Sequence, residues 1–142
     1  MLTISIRQPW AWMIIHGGKD VENRDWPTKV RGRVLIHAAK TMTAEEWSRS
    51  WNFSENTDAP AKASLAGITR ENIQRGGIIG SIEIYACVTE FHSHWFMGKY
   101  GFLLSNPRPL PFTPWCGRLG FFDVPVEELP AETREALLRC HD

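Results

Sequence analysis

From Leu2 to Arg7 the chain alternates apolar and polar side chains, Leu-Thr-Ile-Ser-Ile-Arg, the period of two expected of a half-buried strand with Leu2, Ile4 and Ile6 facing inward. Gln8-Pro9 stops the alternation. Pro9 suits the first position of a helix over Trp10 to His16, because its missing N–H would be unpaired there anyway. On that helix Trp10, Met13 and Ile14 share one side while Trp12 and Ile15 lie elsewhere. An element apolar nearly all round is expected to be buried or to line a pocket. Gly17-Gly18 closes it and lets the backbone turn sharply. Val21 to Trp26 then reads as a second strand and Val34 to Ala39 as a third. Thr43-Ala-Glu-Glu-Trp opens a helix running to about Trp51 or Phe53, a Thr cap followed three residues later by Glu46.

The pattern weakens after that helix. Ser54 to Pro60 reads as a polar loop, Ala61 to Gly67 as weakly helical, and Thr69 to Gln74 as another turn of helix, so residues 54–75 are expected to form a variable insertion over the sheet. Whether they cover a cleft is open at this stage. Ile78 to Phe91 is the strongest strand, long enough to curve, with Gly80 as its bend. Glu83 shares a face there with Ser81 and Tyr85, either solvent or a pocket. Tyr100 to Leu104 reads as a strand, Asn106 to Pro111 as a proline-rich edge, Leu119 to Val124 as a last strand, and Pro130 to Cys140 as a C-terminal helix. About six strands with short flanking helices predict an α+β chain folded as a small mixed β-barrel, one domain over residues 1–142.

Composition changes this picture in three ways. Seven tryptophans in 142 residues is high, and indole rings are useful for stacking flat ligands. Cys87, Cys116 and Cys140 are odd in number and far apart, which suits a reducing compartment; with no charged-then-apolar leader and no run long enough to span a bilayer, a cytoplasmic location and no membrane partner are expected. The net charge is zero, yet residues 1–40 hold Arg7, Lys19, Arg24, Lys29, Arg31, Arg33 and Lys40 against three acids, a local +4 balanced by −4 in the remainder. A basic face on a neutral body fits an anionic ligand of limited extent better than a long duplex.

The candidate chemistry centres on Gly17-Gly-Lys-Asp-Val-Glu-Asn-Arg24. In an extended segment Glu22 and Arg24 point the same way, and Lys19 at the mouth of the turn can lean over either face. A carboxylate held between Lys and Arg accepts from an amino group while its neighbours grip phosphate or carbonyl oxygens. The alternative is a turn with a solvated charge cluster. His37 reads as a packed sheet histidine. His92 and His94, with no clustered further ligand, do not make a zinc site, and neither metal nor cofactor is expected.

Gly17-x-Lys19-x-x-Glu22-x-Arg24, preceded by Ser5-Ile-Arg-Gln-Pro-Trp-Ala-Trp and followed by Gly32-Arg-Val-Leu-Ile-His-Ala-Ala, closely resembles the ASCH domain family, a branch of the PUA-like β-barrels. Gly101-Phe-Leu-Leu-Ser-Asn-Pro-Arg-Pro-Leu and Cys116-Gly-Arg-Leu-Gly-Phe-Phe are similar to that family too, with residues 54–75 the least characteristic. The resemblance implies a curved barrel with a cleft beside the Lys19 turn that binds RNA or a modified nucleobase or nucleoside. Lys19, Glu22, Arg24 and Arg33 are then ligand-binding candidates, with Trp10, Trp12, Trp26 or Trp115 as stacking surfaces. One subfamily removes acyl groups from the N4 amine of cytidine, using a Thr at the third motif position, the motif Lys and a Glu from a later strand. Here Lys19 matches, Glu83 corresponds by position, and Glu22 replaces the Thr, so the hydroxyl-derived acyl-enzyme of that subfamily is not available. Lys19, Glu22 and Glu83 stand as catalytic candidates for hydrolysis in another form, with Glu22 or Glu83 as general base. A metal-independent ribonuclease using Lys19 with His16 or His37 is a further alternative.

Overall fold

The computed structural model describes residues 1–139; Cys140, placed by the sequence at the end of the last helix, lies outside the described residues. The elements in chain order are β1 (Leu2–Ile6), α1 (Trp10–His16), β2 (Val21–Arg24), β3 (Gly32–Ala38), α2 (Ala44–Phe53), α3 (Ala59–Leu65), β4 (Gly77–Val88), β5 (Tyr100–Pro114), β6 (Phe121–Asp123) and α4 (Ala131–Arg139). The strands form one curled sheet in the order β2-β5-β4-β3-β1-β6. Only β1 and β3 run parallel; every other neighbouring pair is antiparallel. The fold is an α+β half-barrel, as the sequence pattern predicts.

The curl wraps around α1. Ala11, Ile14 and Ile15 of that helix are buried with Ile4, Ile6, Val34, Ile36, Ile82, Ile84 and Phe102 from four strands. Gly80 makes the approach possible: a Cβ there would stand 2.7 Å from both Ile15 Cδ1 and the Arg108 carbonyl oxygen. Its place in β4 also coincides with an irregularity in the β4–β5 register, so the bend expected there is present.

The other side of α1 is covered by the region after β3. Trp12 and Met13 pack with Met42, Ala59, Ala63, Ile73 and Trp95, flanked by Trp47, Trp51 and Phe53. Most of the tryptophans are thereby accounted for as packing. Thr43 caps α2 as predicted, accepting from the Glu46 N–H while the Glu46 carboxylate accepts from the Thr43 N–H. Residues 69–74 make a turn closed by the Ile73 N–H on the Thr69 carbonyl, without continuing into a helix.

One inward assignment needs correction. Ile4 and Ile6 are buried, but Leu2 is 42% exposed and Thr3 is fully buried instead. Thr3 is buried by position: β1 lies between β3 and β6, and its outer face is covered by a further cluster that includes Leu35, Phe122 and Val124, while Leu2 stands at the open first residue of the strand. An interior strand covered on both faces does not obey a one-sided alternation. Several strand ends also differ: β2 stops at Arg24, and β5 continues through the proline-rich segment to Pro114. That segment pairs with β4 on one side only, since β2 reaches no further than Leu103, so the prolines sit where no N–H is needed.

Candidate functional site

The site grows from the end of α1. The Gly17 and Lys19 N–H groups both donate to the Met13 carbonyl, at 2.8 and 3.0 Å, and Gly18 takes φ +79° between them. This turn drives the Lys19 side chain inward, to 4% exposure. Its ammonium donates to the Val21 carbonyl and lies 5.5 Å from the Trp10 ring centre and 5.9 Å from that of Trp95. Burial pushes the Lys19 pKa below its ordinary value, opposed by the carboxylates of Glu22 and Asp20 and reinforced by Arg24.

Pairing of β2 with β5 then sets Glu22 and Arg24 on one face, as their spacing predicts. Glu22 Oε2 accepts from Arg24 Nε at 2.9 Å, with Nη2 at 2.8 Å. Glu22 Oε1 lies 4.0 Å from the Lys19 ammonium and accepts no hydrogen bond among the described residues. Arg24 Nη2 also donates to the Ser5 carbonyl at 3.0 Å, tying β2 across the opening of the half-barrel to β1. Its guanidinium lies 5.8 Å from the Trp26 ring, which is itself held edge-on by Phe102 and Phe121.

These groups line an open cleft of about 560 Å³, with Trp10 and Trp26 along its walls and Met97-Gly98 at its rim. The rim is fixed by a residue that sequence reasoning passed over. Asn23 Oδ1 accepts from the Met97 and Gly98 N–H groups at 2.9 and 3.0 Å, and its Nδ2 donates to the Trp95 carbonyl at 2.9 Å. Ser93 adds a bond to Asp20 at 2.7 Å. The only hint in the sequence is that Asn23 stands inside the charged motif. Its partners lie some seventy residues away.

The structure brings Lys19, Glu22, Arg24, Trp10 and Trp26 together and leaves two candidates elsewhere. Arg33 and Glu83 pair with each other at 3.3 Å, with Arg33 also on Ser81 Oγ and Asn106 donating to Glu83 at 3.1 Å. Neither lines the cleft. The register explains this: Ser5, at the cleft, pairs with His37, whereas Glu83 pairs with Arg33. Four residues of strand separate those levels, roughly 13 Å. No residue of 54–75 lines the cleft either.

The two histidines of the ribonuclease reading are also outside it. His16 is exposed at the end of α1, its ring 5.3 Å from Trp12, and partial burial lowers its pKa. His37 is 1% exposed, bonded to Ser5 Oγ at 2.8 Å and to the Trp115 carbonyl at 2.7 Å. Trp12 is core and Trp115 borders a second cleft. His94 donates to the Phe53 carbonyl, and no group of three metal-ligating side chains occurs among the described residues. No helix among them is long and apolar enough to cross a membrane.

Comparison with known proteins agrees with this architecture. The crystal structure of ASCH from Zymomonas mobilis is similar to this chain over 97% of its length and 93% of the other chain, with TM-score 0.53 and 16% identity. That of a mutant form of ZmASCH, also from Zymomonas mobilis, is similar over 97% and 96%, with TM-score 0.52 and 16% identity. At such identity the likeness concerns the fold. No curated protein matches the sequence. The ASCH domain family model matches residues 4–107, which hold the end of β1, all of β2 to β4, the first part of β5 and the whole charged motif. The chain belongs to the ASCH domain family.

Proposed function

We propose that the cleft beside Lys19 binds a single nucleobase, as a modified nucleoside or as an unpaired nucleotide of RNA. The observation that carries this reading is the unshared Oε1 of Glu22, an acceptor whose partner oxygen is already held by Arg24. A carboxylate fixed this way suits the exocyclic amino group of cytosine or adenine. Lys19 and Arg24 offer donors for carbonyl or phosphate oxygens, and Trp10 or Trp26 a face for the ring. A space of about 560 Å³ suits one nucleoside.

The test is titration with nucleosides and short RNA, followed by tryptophan fluorescence. Glu22→Ala is expected to lose binding while still folding, at a lower unfolding temperature because Lys19 and Arg24 lose their carboxylate. If the variant binds as well as the wild type, Glu22 does not have this role.

A second reading is supported by the lowered pKa of Lys19 next to a carboxylate. The same groups suit hydrolysis of an N4-acylated cytidine, with Glu22 as general base on water and Arg24 or Lys19 facing the oxyanion. Acid release from N4-acetylcytidine, followed by mass spectrometry in wild type and Lys19→Ala, separates the readings. Turnover lost in the variant makes the cleft catalytic; silence in both leaves a binding site. The ribonuclease reading has less support, since neither His16 nor His37 lines this cleft.

A further inference from the structure

The nucleobase cleft does not end at Arg7. A second, larger cleft of about 1040 Å³ shares Ser5 and Arg7 with it and continues between the end of β3 and the loop that follows β5. Four cationic side chains border it, Arg7, Lys40, Arg75 and Arg118, and no carboxylate does. On a chain of zero net charge that concentration is local and one-signed. Arg7 is neutralised by Glu46, with Nε donating at 2.5 Å. Arg75 donates only to the uncharged Lys40 carbonyl at 3.2 Å, and Lys40 and Arg118 are exposed with no ion pair among the described residues. Three positive charges therefore border the second cleft without a counter-charge among the described residues.

The ground between the two clefts is closely hydrogen-bonded. The parallel register of β1 and β3 sets Ser5 beside His37, and His37 is held in turn by the Trp115 carbonyl. Gly117 lies close over this pair: a Cβ there would be 2.8 Å from His37 Cε1 and 3.1 Å from Ser5 Oγ. The floor joining the clefts thus consists of satisfied polar groups and backbone, with the cations around it.

We infer that the second cleft holds the phosphodiester backbone of a single strand whose unpaired base occupies the first. The inference rests on the nucleobase reading for the choice of strand, and it adds that the preferred ligand is a nucleotide within a chain and not a free nucleoside. Lys40, Arg75 and Arg118 act as sequence-independent phosphate contacts, while recognition of the base stays with Glu22. Such contacts release counter-ions, so affinity falls with salt at about 0.7 log units per log unit of salt for each phosphate neutralised on a single strand.

The experiment compares three probes by tryptophan fluorescence: a free nucleoside, and short single-stranded RNA and DNA oligomers carrying the same base. Each is titrated at several salt concentrations against the wild type and Lys40→Gln/Arg118→Gln, a double variant that leaves the Arg75–Lys40 backbone bond in place. The oligomers are expected to bind at least about tenfold more tightly than the nucleoside at low salt. In the variant they should lose that advantage and reduce the salt slope by about 1.4, with nucleoside affinity unchanged. Comparison of RNA with DNA identifies the sugar. If the oligomers bind no more tightly than the nucleoside, or the variant keeps their affinity and slope, the inference is wrong while the nucleobase reading stands. Salt-dependent oligomer binding without nucleoside binding would overturn the nucleobase reading and leave the phosphate cleft. A triple variant that also carries Arg75→Gln, judged against its own thermal unfolding, extends the same comparison to the third cation.

Discussion

Lys19 determines the character of the site at the scale of a single residue. An ammonium at 4% exposure has left water for one backbone carbonyl, two indole faces and a carboxylate 4.0 Å away. The folded chain therefore binds the Lys19 proton less tightly than the unfolded chain, whose amine titrates near 10.5. Between the lowered pKa and 10.5 the unfolded state carries more protons, so this residue's contribution to stability rises with pH through that window. Below the window its burial is a constant penalty. Urea unfolding of the wild type and Lys19→Met across the alkaline range is expected to show the wild type gaining on the variant as pH rises. The slope cannot exceed about 1.4 kcal/mol per pH unit. A difference that stays flat would mean that the amine keeps an ordinary pKa in the folded chain.

At the scale of elements, Asn23 joins two parts of the chain that share no strand pairing of their own. It belongs to β2, and its three hydrogen bonds fix residues 95–98 as the rim of the cleft. At about 1 kcal/mol for each bond, Asn23→Ala should cost about 2–3 kcal/mol of unfolding free energy, and exchange of the Met97 and Gly98 amides should quicken. Asn23→Asp keeps the acceptor for both amides and loses only the donor to Trp95, so its cost should be smaller. Equal exchange rates in wild type and Asn23→Ala would show that the rim is held by other contacts.

The same elements show what the sequence could and could not disclose. Glu22 and Arg24 are two apart, and a period of two places them on one face whatever the partner strand. Thr43 and Glu46 are likewise a local pattern, and their cap is present as expected. Glu83 marks the limit: alternation assigns a face of a strand but not a height along it. Its level follows from pairing with Arg33 fifty residues earlier. Thr3 is buried for a related reason, because alternation cannot tell which strands will be covered on both sides. Asn23 and the second cleft depend on contacts between distant segments and had no local signal beyond composition. Of the excess of Lys and Arg in residues 1–40, only Arg7 and Lys40 border the second cleft, so the count gave no location for it.

For the whole molecule, charge and shape bear on which form of nucleic acid the proposed site would take. Sixteen basic and sixteen acidic residues leave no long-range attraction, and the stretch after residue 40 is net negative. A duplex presents a phosphate for about every 1.7 Å of axis and needs an extended positive surface, whereas Lys40, Arg75 and Arg118 form one short cationic patch beside the second cleft. On the proposed reading a base entering the first cleft must leave its stack and its partner, at a cost of a few kcal/mol in a duplex and less in a single strand. A duplex of about twelve base pairs is therefore expected to bind at least about tenfold more weakly than either separated strand. Fluorescence anisotropy of end-labelled strands, read between about 50 and 200 mM salt, measures this directly. Equal affinity for duplex and single strand would mean that the protein grips the backbone without extracting a base. The acceptor left open on Glu22 would then need another partner.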